Sequence, residues 1–227
     1  VPAHPRLRAG DQTMSAADRD GVAVPPQGGQ DLPSSTGALG MRLFLIALGM
    51  LFGATLLGYL VIRSRAAAWP PPGAPSLPLS LVFSTIVILT SSWTAQGALM
   101  AARAQRHDVL RKGLLLTFVL GLVFCISQTV GWIEIYPAVS RMGLRQPAVP
   151  GALMADHSPR QFVFLFYTLT ALHAVHVLGG LVAFALARFG NLDFRTPLVA
   201  LGRVRHAVAY WHFLAAVWVV MYVVMLI

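Results

Sequence analysis

The sequence predicts an all-α membrane protein: five transmembrane helices in a bundle, preceded by a disordered N-terminal tail. Three observations predict it. Of 227 residues, 56% are hydrophobic and only 11% are charged, where an ordinary soluble domain carries about 25% charged residues. Five apolar segments each reach the roughly 20 residues that a helix needs to cross a hydrocarbon layer of about 30 Å. The stretches between them are rich in arginine, proline and glycine, the composition of connections.

The elements follow in chain order. Residues 1–38 are polar, rich in Pro, Gly, Ser, Asp and Gln, and lack apolar periodicity, so a disordered tail is expected there. They have no basic start followed by an apolar core, and so do not read as a signal peptide. The first span, 43–62, lies between Arg42 and Arg63. Its Gly49 and Gly53 form a small-x-x-x-small pair that permits close helix contact. The run WPPPGAPSLP, 69–78, breaks any helix, and Trp69 suits the membrane interface. The second span, 79–102, carries Thr85, Thr90, Ser91, Ser92 and Gln96, which mark a protein-facing side. A basic turn, RAQRHDVLRK, leads to the third span, 113–136, with Gln128 and Glu134 towards its end and Pro137 after it. A loop is expected over 137–161. The fourth span, 162–187, reads FVFLFYTLTALHAVHVLGGLVAFALA. It has 26 residues without a formal charge and holds His173 and His176 near its middle. The fifth span, 206–227, contains Tyr210-Trp211-His212-Phe213.

Seventeen basic residues face eight acids, a net charge of +9. In a soluble chain that balance would suggest nucleic acid. Here the arginines punctuate apolar segments, so membrane topology accounts for them and no nucleic-acid partner is expected. The tail and the second and fourth connections hold most of them, which places the N-terminus in the cytoplasm and the C-terminus outside. Cys125 is the single cysteine. It reads as a small buried residue and allows neither an intrachain disulfide nor a thiolate cluster. No Walker loop, G-x-S-x-G, H-E-x-x-H or C-x-x-C-H occurs, so soluble enzyme chemistry and covalently attached haem find no support.

The polar groups inside the spans carry the remaining information. His173, His176 and Gly180 share one helical stripe, and Gly179-Gly180 admits a neighbour. His212, with Ala215, Ala216 and Val219, gives the fifth span a matching face. The expectation is that the histidines hydrogen-bond across a seam between the fourth and fifth spans. The alternatives are a metal held by His173, His176 and His212, as in a small membrane metalloprotein or transporter, or a proton relay. Mid-span carboxylates would favour a metal site, and none is found. Glu134 lies near the outer interface and suits a helix-end role.

LTALHAVHVLGG (169–180) and YWHFLAAVWVVMYVV (210–224) resemble subunit III of the haem–copper cytochrome c oxidases. Members of that family typically read T-G-x-H-G-x-H-V-x-x-G in one helix and Y-W-H-F-V-D-x-V-W in the last. LGMRLFLIALGMLFGATLLGYL (39–60) resembles the family's first shared helix, and SQTVGWIEI (127–135) its Q-x-x-E segment. The likeness covers roughly 39–227 and matches the short five-helix bacterial form. The matching positions are Gln128, Glu134, His173, His176, Gly180, Trp211 and His212. Three family acids are replaced, by Leu48, Gly131 and Ala215. The resemblance implies an accessory subunit of a terminal oxidase in the bacterial inner membrane, without its own redox centre. Haem and copper are expected in partner subunits I and II. Its implied role is to pack on the catalytic subunit, hold structural phospholipid and support proton uptake. The Gly and Ser/Thr faces of the first three spans need partners, so the contact with the enzyme is expected mainly there. With those acids lost, a subunit III-like partner of a nitric oxide reductase is the alternative within the superfamily.

Overall fold

A computed structural model describes residues 34–66, 68–71, 73–143, 159–189 and 197–227. The chain divides into two units, Val1–Gly37 and Ala38–Ile227. Five helices follow one another: α1 (Ser34–Arg65), α2 (Ser80–Arg103), α3 (His107–Gly143), α4 (Pro159–Phe189) and α5 (Pro197–Leu226). All five are long and apolar enough to cross a membrane, and no strand occurs among the described residues. The expected all-helical membrane fold is therefore the observed one. In lipid a helix satisfies its own backbone, so the architecture follows from composition. The disorder expected for 1–38 falls, up to residue 33, outside the described residues. So does the expected loop between 144 and 158.

The helices outrun the predicted spans. α1 begins at Ser34, and α5 begins at Pro197. Proline is well placed in a first turn, where its missing N–H has no helical partner. The span rule counts residues in the hydrocarbon, whereas a helix continues through the headgroup layer. A sharper departure is Pro137, expected to end the third span. It lies inside α3, which runs on to Gly143. One lost backbone bond at the exposed end of a helix is tolerated, and Arg141 Nε donates to the Pro137 carbonyl at 3.2 Å.

α2 and α3 form a tight antiparallel pair. Arg106 N–H donates to Ala101 O and Gln105 N–H to Ala102 O, at 2.9 and 3.2 Å. These are the two bonds of a Schellman stop, with Gln105 in the left-handed region at φ 56°. The Gln105 side chain also donates to Ala102 O at 3.2 Å. α2 packs on α3 and α5, and α4 packs on α3 and α5. The result is a closed four-helix ring with up-down-up-down order. Its interior holds Trp211, Trp218, Phe124, Phe166, Phe184 and Ile88, all fully buried.

α1 is different. Among the described residues its backbone stays clear of every other helix. Long side chains bridge the gap instead. Phe52 reaches the rings of His173 and His176 at 6.1 and 5.3 Å, Phe44 meets Tyr210 at 5.7 Å, and Arg63 Nη1 donates to Val224 O at 3.1 Å. The connection after α1 is pinned by Trp69, whose Nε1 donates to Tyr59 Oη at 2.9 Å and whose ring meets Phe162.

Candidate functional site

Every neighbouring pair in the ring is joined by hydrogen bonds. Between α2 and α3, the buried Gln128 donates from Nε2 to Ser84 Oγ at 2.8 Å, and Thr94 and Thr117 share a bond at 2.9 Å. Between α3 and α4, Trp132 Nε1 donates to Thr170 Oγ1 at 3.0 Å and Tyr167 Oη to Trp132 O at 2.7 Å. Between α4 and α5, Tyr210 Oη donates to His176 O at 2.9 Å. Lipid tails drive helices together no better than Leu does, so such bonds and close packing hold the ring.

The α2–α5 contact is a ladder. Trp211 and Trp218 lie two turns apart on α5. Their indole N–H groups donate to Ser91 Oγ and Thr85 Oγ1, each at 3.0 Å. One residue past Trp211, His212 Nδ1 pairs with Ser92 Oγ, and its Nε2 lies 3.2 Å from Gln96 Oε1. In the tautomer with hydrogen on Nε2, Ser92 donates to the ring and the ring donates to Gln96.

Trp211 is where four helices meet. A Cβ built on Gly180 would lie 2.8 Å from its ring, and one on Gly121 would lie 2.8 Å from its far edge. Glycine is used here because the indole occupies the space of a side chain. Phe184 closes the ring edge-on at 5.2 Å. The α4–α5 seam thus exists where the sequence places it, but a tryptophan fills it.

The histidine seam itself is not formed. His212 faces α2, because Trp211 already points at α3 and α4 and consecutive residues diverge by about 100° around a helix. His176 Nδ1 bonds the Leu172 carbonyl of its own helix at 2.7 Å, and its ring faces Phe52 of α1. His173 is completely buried with neither nitrogen partnered. It lies among Phe52, Phe124 and Trp218, with centroids 6.1, 5.8 and 5.2 Å away. The three histidines therefore do not converge. Among the described residues no group of three His, Cys, Asp or Glu side chains is placed to share a metal ion. Glu134 is exposed and accepts from Ser80 Oγ at 3.2 Å, and α3 continues past it to Gly143, so it does not end the helix. The three positions where family acids are replaced are packed. Leu48 and Ala215 are buried, and Gly131 lies against Ser80.

The stability consequence is specific. His176→Leu is expected to leave the α4–α5 contact intact. Tyr210→Phe removes the bond to the His176 carbonyl and should cost about 0.5–1.5 kcal/mol. Thermal unfolding of the purified protein in detergent separates the two.

Sequence reading missed Trp218, Trp132, Tyr167 and Gly121. A signal for the first was present: Trp211 and Trp218 lie seven residues apart, opposite a helix carrying a hydroxyl on almost every turn. It also missed a cleft of 670 Å³ at one end of the bundle, where α1 stands off. Met41 and Phe44 of α1, Gly179, Ala183 and Leu186 of α4, and Ala207 of α5 form apolar walls. Arg203, His206 and Tyr210 supply its polar groups. His206 Nε2 is a buried atom without a partner.

Fold and polar ladder define a class: a five-span helical membrane protein whose buried polar groups mostly knit helix to helix. No family model matches the chain. It is similar to cytochrome c oxidase subunit 3 of Synechocystis, with 29% identity over 81% of this chain and 72% of that protein. It is similar to the probable cytochrome c oxidase subunit 3 of Mycobacterium tuberculosis, with 30% identity over 77% of this chain and 79% of that one. The subunit 3 of Thermostichus vulcanus is 24% identical over 83% of this chain and 86% of its own. The chain belongs to the cytochrome c oxidase subunit 3 family.

Proposed function

We propose that the chain is the non-catalytic subunit III of a terminal cytochrome c oxidase, in a bacterial inner membrane with its N-terminus in the cytoplasm. It packs on catalytic subunit I in a complex that also contains subunit II. Those partners hold the haems and copper of the reaction that passes electrons to oxygen. The observation that carries the proposal is the similarity to proteins named cytochrome c oxidase subunit 3 over about four-fifths of the chain. The interior agrees with a scaffold. Its buried polar side chains are largely engaged in helix–helix bonds, and the acids in the described spans, Asp108 and Glu134, are both exposed. Leu48, Gly131 and Ala215 offer no proton-carrying group where the family has acids. Support for proton uptake would therefore come through packing on the catalytic subunit.

The cleft between α1, α4 and α5 is proposed to hold phospholipid. Its apolar walls suit acyl chains, and Arg203 with His206 suits an anionic headgroup. By the arginine bias this end faces the cytoplasm, where basic groups attract anionic lipid. Purification of the tagged chain in mild detergent tests both parts. The expected preparation has a haem spectrum, consumes oxygen and contains the two partner chains. A preparation that reduces nitric oxide and not oxygen would assign the chain to the other complex. Arg203→Gln together with His206→Leu is expected to lower the phospholipid retained per complex while the haem spectrum stays unchanged. Lipid phosphorus quantified against haem is the measurement.

A further inference from the structure

α2 is the least apolar of the five spans, and part of the reason lies on its outside. Ile86, Thr90, Trp93, Gln96, Gly97 and Met100 are all exposed and recur every third or fourth residue, forming one stripe. Trp93 is 82% exposed, more than any other large apolar side chain described. It lies about 15 Å along the helix from Arg103, well inside the membrane rather than at the interface where tryptophan usually sits. Its indole N–H has no acceptor among the described residues. Gln96 is the only exposed side-chain amide within a span among the described residues. Its oxygen is taken by His212, so its two N–H donors point to no described group. Beside them Gly97 leaves open space: a Cβ there would meet nothing within 4 Å.

No other outer face among the described residues has an exposed tryptophan or side-chain amide in the middle of a span. α3 presents Leu122, Ile126 and Ile133, and α4 presents Val175 and Val182. Hydrocarbon can cover those. It cannot accept a hydrogen bond, and donors left unsatisfied in lipid are costly. A protein helix can offer an acceptor, and a notch beside an exposed tryptophan is the shape a second helix fills.

We propose that the outer stripe of α2 is the docking face for a transmembrane helix of another subunit of the same oxidase. That helix presents hydrogen-bond acceptors to the Trp93 indole and the Gln96 amide, and packs into the notch at Gly97. The proposal rests on the subunit reading above, and it narrows the expected contact through three spans to one side of one.

A photo-reactive benzoylphenylalanine placed at position 93, 126 or 175 in the assembled complex tests it. The expected result is a cross-link from 93 to one other oxidase subunit and none from 126 or 175. Cross-links from 126 or 175 but not 93, or from 93 to lipid or to a second copy of this chain, would overturn it. Trp93 has no bond or ring contact inside the described chain, so Trp93→Ala should fold normally. It should weaken retention of the chain in the haem-bearing complex by at least about tenfold, as a hot-spot truncation does. Ile126→Ala should not. Full retention of both Trp93→Ala and Gln96→Leu would also overturn the docking face. The unsubstituted chain provides the separation: without a co-purifying haem protein the subunit reading falls, whereas a haem complex cross-linked elsewhere sinks only the face.

Discussion

Gly180→Ala is expected to destabilise the bundle by about 1–3 kcal/mol, the ordinary penalty for overpacking a core, and Gly180→Leu to prevent α4 and α5 from closing. The added Cβ would lie 2.8 and 2.9 Å from two atoms of the Trp211 ring, well inside van der Waals contact. That ring has nowhere to go. Its far edge lies against Gly121, its N–H is bonded to Ser91, and Phe184 covers its side. The backbones of α4 and α5 must therefore separate, which also strains the Tyr210 bond to the His176 carbonyl. Gly53→Ala and Gly58→Ala are the controls. They also place a methyl group on a helical glycine in a span, but nothing lies within 4 Å. Both should leave the melting temperature of the purified protein unchanged. If all three alanine variants melted alike, the close approach at Gly180 would not be what sets the seam.

The spans were legible because each is a run of apolar side chains longer than the membrane demands. The place of the α2–α3 turn was legible from its charge and polarity, but not its extent: it was expected over 103–112, whereas α2 ends at Arg103 and α3 begins at His107. What composition does not encode is the rotation of each helix about its axis. The stripe His173, His176 and Gly180 was expected to meet one partner across a seam, but a helical stripe does not name its neighbours. Gly180 took Trp211. His176 turned its ring to α1, and His173 went into an aromatic cage. His212 followed from Trp211: once the indole claims the seam, the next residue must look elsewhere. The pattern on α2 was half legible. Its hydroxyls and Gln96 were read as one protein-facing side, but they divide. Thr85, Ser91 and Ser92 serve the ladder, Gln96 joins its edge through its oxygen while staying exposed, and Thr90 is exposed outside. The ends of α1, α3 and α5 were not legible, since helix formation in the headgroup layer leaves no apolar trace.

A second large effect is expected from Trp211→Ala. Burial of an aromatic side chain in water is driven partly by transfer out of solvent, but lipid removes most of that term, and what Trp211 contributes is contact. Its loss empties the point where α2, α3, α4 and α5 meet. Tryptophan-to-alanine changes in cores cost about 3–5 kcal/mol, and the Ser91 hydroxyl loses its indole donor as well. The same geometry makes a sharper claim about the pair. Gly180→Leu is severe because the ring is present, and Trp211→Ala is severe because the space is empty. Combined, the leucine can enter the volume the indole vacates. The double variant should therefore be more stable than Gly180→Leu alone, a strong departure from additivity between touching residues. Melting of the four proteins, unsubstituted, each single and the double, measures that coupling directly. A double variant as unstable as the sum of its parts would mean that Gly180 and Trp211 act on separate features of the fold. The glycine-tryptophan contact could not then be what joins the fourth and fifth helices.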